Sequence, residues 1–431
     1  MYNDADMTVN ITPTAGKILR FAPSPTGSMH LGNCRTALVN YYSCKCSKDD
    51  FFIRIDDTDA DRDREEYEKH IFQDLDWLGI NYKTIIKQSN REEIYEEYLQ
   101  KLITEKKVYE CFETEEELDE GHIYNRKALF LSEDEKTHFR KTRKSYWRFL
   151  MSKDYYEFKD GVMGIIKTKR CWSDPVIKRP KDTKAFTYNF TSAIDDMLMG
   201  VTDIIRGQEH INNAIIQQEI ISCFGNHKIN FFHLPVIITA DGQKLSKRLG
   251  DLSIQTLRQE GYHPASIISM CLSLGTNKPP LINSDLQELK NYFNIKNFSR
   301  SSPKFEKKTL QNLNTKILRQ LKPAEITSLG FKQDIWNIIV NNISSLNEYY
   351  KWEKILNYSE LYEEFNFKDL LKSIYKGGIL NFQEIDNIDL RKNFLINLHK
   401  SLTGESAGPE ICKILNYKLK SPLIRFELLG K

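Results

Sequence analysis

The stretch KILRFAPSPTGSMHLGN, residues 17–33, leaves this chain few ways to begin folding. The apolar run Ile18, Leu19 and Phe21 is too short for a helix and reads as a buried strand. Pro23 and Pro25 stop it from running on into a helix or an inner strand. Gly27 and Gly32 then let the backbone turn tightly around His30. From Leu31 onward the apolar residues Leu31, Leu38 and Tyr42 recur at helical spacing. A buried strand that feeds a helix through a tight turn is half of a crossover unit, and its strand needs a parallel neighbour. DDFFIRIDDTD (49–59) supplies one, ending in a cluster of carboxylates. Two amphipathic helices follow, one with Tyr67, Ile71, Leu75 and Leu78 on a face, the other with Ile94, Tyr98 and Leu102. Strand, helix, strand, helix predicts an α/β fold built on a parallel sheet.

Between about 112 and 185 the rhythm breaks. Acidic ETEEELDE and basic RKTRK runs precede alternating segments such as YYEFKDGVMGIIKTK, which read as an insertion with strands of its own. The α/β rhythm returns at 186, and INFFHLPVIIT (229–239) reads as the last strand. From 251 the chain is predicted mostly helical, with a break at GTNKPP (275–280). The expected organisation is an α/β plus all-α chain. A split Rossmann-like domain (1–111 and 186–250) carries the insertion (112–185), and two helical regions follow (251–319 and 320–431).

Net charge is only +3. Residues 301–431 hold 20 Lys and Arg against 15 Asp and Glu, leaving 42 against 44 for residues 1–300. Solvated helix faces account for so mild an excess as well as a nucleic-acid footprint does. The polar, partly acidic start MYNDADMTVNITPTAGK lacks the apolar core of a secretory signal. No apolar run approaches the ~18 residues that span a bilayer. The eight cysteines, at 34, 44, 46, 111, 171, 223, 271 and 412, form no spaced framework. Reduced thiols in the cytoplasm, and no structural zinc, are expected.

Three pieces carry chemistry. In a parallel sheet a ligand sits at the carboxyl ends of the strands, where a helix N-terminus offers free N–H groups to phosphate. His30, at that helix entrance, reads either as a phosphate ligand or as a helix cap. The loop DGQKLSKRLG (241–250) follows the last strand, with glycines at 242 and 250. Its lysines Lys244 and Lys247 can close over a polyphosphate and stabilise a leaving pyrophosphate, or simply be solvated. Tyr188, Asp195 and Arg206 are polar groups in the otherwise apolar stretch AFTYNFTSAIDDMLMGVTDIIRGQEH. Arg206 beside a tyrosine hydroxyl suits a carboxylate ligand, or else pairs internally with Asp195 or Asp203.

Together these stretches resemble one family. RFAPSPTGSMHLGN and KLSKR look like the HIGH and KMSKS signatures of class I aminoacyl-tRNA synthetases. The form FAPSPTG with H-x-G, RIDDTD and YNFTSAIDDMLMGVTDIIRGQEH resembles the bacterial-type glutamyl-tRNA synthetases, with QSNREEIYEEY, DPVIKR and GYHPASIISMCLSLG matching in order. The resemblance covers roughly residues 18–112 and 170–276; the last ~130 residues match only in helical character.

The resemblance implies a two-step ligase that forms glutamyl-adenylate from glutamate and ATP, then passes the glutamyl group to the end of tRNA-Glu, with tRNA-Gln left open as a second acceptor. It implies ATP with Mg²⁺ and a monomer. The catalytic domain would be the split Rossmann-like one, 112–185 would bind the tRNA acceptor end, 251–319 would contact the stem and 320–431 the anticodon. His30, Gly32, Lys244, Leu245, Ser246, Lys247 and Arg248 would bind ATP, with His30, Lys244 and Lys247 catalytic; Arg20, Ser24, Asp56, Tyr188 and Arg206 would shape the glutamate pocket. In the C-terminal region Trp336, Tyr349, Tyr350, Trp352 and Tyr358, with Lys351 and Lys354, are candidate stacking groups for unpaired bases, while NEYYKWEKILNYSELY (347–362) also reads as a plain amphipathic helix.

Several positions depart from the family pattern: Asn33 replaces the second histidine of HIGH, Asp56 stands where Glu is common, Ser192 replaces Asn or Val, and Thr183 replaces a turn glycine. Of the cysteine-rich knuckle some members carry, only Cys111 remains, with His122 nearby. A truncated relative that glutamylates a tRNA base, and a catalytically retired tRNA-binding protein, are the alternatives. The helical residues 320–431 speak against the first, and intact His30, Lys244 and Lys247 against the second.

Overall fold

The computed structural model describes residues 16–59, 62–114, 117, 124–180, 185–245, 252–376, 379–382, 385 and 387–429. Ser246, Lys247 and Arg248, together with His122 and Thr183, lie outside the described residues.

The opening motif folds as its composition requires. Ile18–Phe21 is a fully buried strand (β1), and Leu31–Ser43 the helix after it (α1). Asp50–Ile55 (β2) lies parallel to β1, with Ile18 opposite Asp50 and Phe21 opposite Ile53. Helix α2 (Glu65–Trp77) leads to β3 (Ile85–Lys87), parallel to β2, and then to α3 (Glu92–Thr104). On α3 the buried residues are Tyr95, Leu99 and Leu102, while Ile94 and Tyr98 flank them half-buried. The packing face is thus turned by about one residue from the one expected, because Tyr95 is drawn inward by a hydrogen bond to Asp195.

β4 (Val108–Cys111), just before the expected insertion, pairs with two of the insertion's strands, β5 (Tyr146–Phe149) and β8 (Val176–Lys178), in an antiparallel sheet, with helix α4 (Glu133–Thr142) between β4 and β5 in the chain. The hairpin β6 (Tyr155–Asp160) and β7 (Gly164–Lys169) does something else: it forms the edge of a second sheet, in the order β7-β6-β10-β9. After α5 (Tyr188–Leu198) come β9 (Asp203–Gly207), α6 (Ile211–Ser222) and β10 (Asn230–Leu234). β9 and β10 are parallel over five residue pairs, and β6 joins β10 at Phe231 opposite Asp160. β9 comes alongside β1 where Ile18 and Thr202 exchange hydrogen bonds of 3.0 Å. The strand expected over 229–239 ends at Leu234, because Pro235 removes the next ladder donor. Phe190, Ile194, Ile204, Ile220 and Phe231 are central to the core between this sheet and its helices.

These elements belong to a first compact unit, which reaches residue 256 and includes 268–281 and 287–306. In the second unit, 257–267, 282–286 and 307–431, the described secondary structure is helical apart from a two-residue hairpin at Tyr375–Lys376 and Ile379–Leu380. In it Phe331 stacks on Tyr349 at 4.1 Å and on Trp336 at 5.6 Å. Of the five aromatic candidates named from the sequence, Trp336, Tyr349 and Trp352 are buried core residues, and Tyr350 and Tyr358 are exposed. Positions 349, 352 and 356 fall on one helical face, which the unit's own core claims.

Candidate active site

Four parallel strands, two in each of the neighbouring sheets, end alike. Arg20, Arg54, Arg206 and His233 are each the last residue but one of β1, β2, β9 and β10, and all four are buried. The carboxyl ends of these strands are thus lined with basic groups, and most of them carry partners. Arg20 grips Asp196 through two hydrogen bonds, 3.1 and 3.2 Å. Arg54 bonds both oxygens of Asp56 (2.6 and 3.1 Å), Asp196 (2.6 Å) and the Ser192 hydroxyl (2.8 Å). Asp195 takes Arg91 at 2.8 Å, Gln88 at 2.9 Å and Tyr95 at 2.8 Å. Burial raises the Asp196 carboxyl, but Arg20 and Arg54 outweigh it and hold Asp196 below the usual range. Asp56 goes the other way: burial pushes it up to about 6, and Arg54 offsets this only in part.

Arg206 stands apart. Among the described residues no carboxylate touches it; Asp195 is taken by Arg91, and Asp203 by Lys17 and Thr202. The internal pair considered from the sequence is therefore not formed. Arg206 donates from Nη1 to the Tyr188 hydroxyl (3.3 Å) and from Nε to His233 Nε2 (3.4 Å), while its buried Nη2 has no partner among the described residues. Burial lowers its pKa, yet a guanidinium stays charged. A buried cation with a free donor, and no anion to answer it, is a place for an anionic ligand.

His30 sits at the head of α1 and caps it. Its Nδ1 accepts from the N–H groups of Gly32 (3.0 Å) and Asn33 (3.3 Å). The ring is neutral, its pKa lowered by burial against the pull of Glu209. Capping and ligand binding are compatible, because Nε2 makes no hydrogen bond to a described residue. A Cβ on Gly32 would lie 2.9 Å from His30 Cε1 and 3.0 Å from Nδ1, so the glycine makes room for the ring of its own cap. Arg35, one turn along α1, donates to the carbonyls of Pro235 and Leu274 and so ties α1 to the end of β10.

Ser24 is exposed in the loop after β1, which is held over β2 by the bond from Asp56 N to Pro23 O (3.0 Å). The lysine loop starts as a tight turn, with Gly242 at φ +83° and Ile238 paired to Lys244. Lys244 is exposed and Leu245 is buried as the loop's anchor; the rest of the motif lies beyond the described residues. Cys111 is a buried thiol, pushed up to about 12 by burial.

Sequence reasoning missed Arg54, Asp196, His233 and Asp160. A signal for the first and third existed: a charged or imidazole side chain one residue before the end of an apolar strand, as in FFIRI and NFFHL.

The family described as tRNA synthetases class I (E and Q), catalytic domain, matches residues 18–312. The chain is 34% identical over 430 residues to glutamate–tRNA ligase 1 of Paracoccus denitrificans, covering 92% of this chain and 97% of that protein. It is 36% identical over 429 residues to glutamate–tRNA ligase 1 of Ruegeria pomeroyi, covering 92% and 96%. A crystal structure of a glutamate tRNA ligase from Elizabethkingia meningosepticum, in complex with its amino acid, shares the fold at a TM-score of 0.75 and 24% identity, over 93% of this chain and 96% of that one.

Proposed function

This chain belongs to the class I tRNA synthetases of the E and Q type, and from that membership we infer that it is a glutamate–tRNA ligase. An α-carboxylate oxygen of glutamate attacks the α-phosphorus of ATP. The bond to pyrophosphate breaks, and glutamyl-adenylate forms. The 2′-hydroxyl of the terminal tRNA adenosine then attacks the glutamyl carbonyl, and AMP leaves. Both steps need alignment and charge stabilisation more than covalent help.

The observation that carries the amino-acid assignment is the partnerless Nη2 of Arg206. We read it, with Tyr188, as the grip on the side-chain carboxylate, and Arg20, Ser24 and Asp56 as the rest of the pocket. His30 would meet the ATP phosphates through Nε2, with Gly32 and Leu245 shaping the nucleotide site. Lys244 and, from their place in the motif, Ser246, Lys247 and Arg248 would act on the phosphates. Among the described residues no three of His, Cys, Asp and Glu gather as a metal cage. Mg²⁺ is read as arriving on the phosphates of ATP, as part of the substrate.

For the remaining regions, 112–185 is read as the acceptor-end contact, supported by Tyr155, Lys159 and Lys169 on the exposed face of β6 and β7, a face that also carries Ile165 and the ion pair of Lys167 with Glu157. Residues 251–319 are assigned to the stem and 320–431 to the anticodon, with Tyr350, Tyr358 and Lys354 the exposed groups suited to bases. A cytoplasmic monomer using tRNA-Glu completes the reading, and tRNA-Gln is the second arm of its assay. No described helix is long and apolar enough to cross a membrane.

The test is pyrophosphate exchange with tRNA present. Arg206→Ala leaves a substrate charge unpaired in a buried site, a cost of about 3–5 kcal/mol. Glutamate use should fall by more than two orders of magnitude and discrimination against glutamine should weaken. Normal glutamate kinetics in the variant would refute the assignment.

A further inference from the structure

We propose that His233 and Asp160 are positioning residues for Arg206, and that through it they set the preference for an acidic substrate side chain. This rests on the reading of Arg206 given above. The sheet register brings the three together: His233 lies opposite Arg206 across the β9–β10 ladder, and β6 meets β10 at Phe231 and Asp160.

Asp160 is held by many donors. It accepts from His233 Nδ1 at 2.7 Å, from the His233 N–H at 3.1 Å, and from the N–H groups of Val162 (2.8 Å) and Met163 (2.7 Å). The side chains of Asp160 and His233 are both fully buried. Burial would raise the Asp160 carboxyl, but these bonds outweigh it and keep the group ionised. An ionised carboxylate only accepts, so His233 Nδ1 carries the proton. Burial, and the charge of Arg206 after it, lower the ring's pKa against the pull of Asp160 and of the His210 carbonyl; the neutral ring, protonated at Nδ1, accepts at Nε2 from Arg206 Nε.

The arrangement fixes the arginine without neutralising it. Nε is held by His233 and Nη1 by Tyr188, so the plane of the guanidinium is set and Nη2 is left for a ligand. A carboxylate in place of the imidazole would form a paired fork with Arg206 and compete with the substrate for it. The neutral ring keeps the Asp160 charge one residue away from Arg206. Aromatic packing holds the relay in place: Phe231 stacks on His233 at 5.9 Å with an interplanar angle of 5°, Arg206 lies 5.5 Å above Phe231, and Phe158 meets both rings edge-on.

The experiment compares wild type, His233→Phe, His233→Gln, Asp160→Asn and Arg206→Ala in pyrophosphate exchange with tRNA present, after checking each by thermal melting. Glutamine in place of His233 offers both a donor toward Asp160 and an acceptor toward Arg206. Freeing Arg206 to shift by about an ångström should raise the glutamate KM of His233→Phe by ~10–100-fold, with the ATP KM unchanged and the glutamate-to-glutamine preference reduced. His233→Gln should recover most of the loss, and Asp160→Asn should fall between. If His233→Phe does not fold, the last two variants decide by the same readouts. The proposal is overturned if Arg206→Ala abolishes glutamate use while the His233 and Asp160 variants keep the wild-type KM and preference, or if the KM values for glutamate and ATP rise together. If Arg206→Ala itself is silent, the assignment of Arg206 falls and the relay with it.

Discussion

Gly32→Ala separates the folding role of this glycine from its role in the site. The added Cβ would lie 2.9 Å from His30 Cε1 and 3.0 Å from Nδ1, closer than packed atoms allow. The obstacle is the far end of a side chain, so the ring swings away and the backbone stays. Two consequences for stability then oppose each other. Losing the cap bonds to the N–H groups of Gly32 and Asn33 costs about 0.5–2 kcal/mol. Replacing Gly by Ala in a helix returns up to about 1 kcal/mol. Net stability should therefore change by no more than about 1 kcal/mol, read as a small shift in denaturation midpoint. On the proposed role of His30, ATP use should suffer far more, because a ring displaced by about an ångström would no longer present Nε2 to the phosphates. Pyrophosphate exchange at varied ATP should show kcat/KM down by ~10–100-fold. The double variant His30→Ala, Gly32→Ala gives the check. With no ring to displace, Gly32→Ala should add nothing to the loss already caused by His30→Ala, a non-additivity expected of residues in contact. A Gly32→Ala enzyme with normal ATP kinetics, or full additivity in the double variant, would refute this account of the glycine.

Lys247→Ala should cut the adenylation rate by ~10²–10³, comparable to the loss of one oxyanion donor, with a smaller change in glutamate KM; an unchanged rate would remove the loop from the chemistry. Stability should fall as pH drops from about 6.5, because burial lowers His210 and His263 to about 4 and the unfolded chain takes up their protons first. Asp56, raised to about 6, works in the opposite sense as pH falls toward 3.8, so chemical denaturation between pH 7 and 4.5 should be less steep in wild type than in Asp56→Asn.

What the sequence made legible follows from how strongly each residue restricts its neighbours. Pro23, Pro25 and Gly32 leave one local path, so β1, its turn and α1 could be placed from composition alone. Pro235 restricts just as strongly, yet the apolar run beyond it masked the end of β10. The partner choices were harder. Nothing in RIDD says that Arg54 will serve Asp56, Asp196 and Ser192 together, because two of those lie over 130 residues away. The role of β6 was equally hidden: an alternating hairpin can form its own sheet or extend another, and only the register with β10 decides. In the C-terminal helices, aromatic residues suit base stacking and core packing alike. Burial of Trp336, Tyr349 and Trp352 settles their role, leaving Tyr350 and Tyr358 as the exposed pair.

The departures at Asp56 and Ser192 meet on one arginine. Arg54 holds both Asp56 oxygens and donates to the Ser192 hydroxyl, so the shorter acid and the small polar residue are parts of one network. That network is otherwise well matched: Asp196 lies between Arg20 and Arg54, and Asp195 is held by Arg91. Two groups are left under-compensated, and they carry opposite signs. Burial lifts Asp56 to about 6 despite Arg54, so its carboxylate would gain from a second cation. Arg206 is buried with a free donor, so it would gain from an anion. Both sense the charge of Arg20, which places them in one electrostatic neighbourhood. A ligand with an ammonium group at one end and a carboxylate at the other would relieve both at once, whereas a neutral side-chain amide would leave Arg206 unanswered. On this argument Asp56 would be answered equally by glutamate and glutamine, which share the ammonium group, and the preference for glutamate would rest on Arg206, the buried cation that the network leaves over.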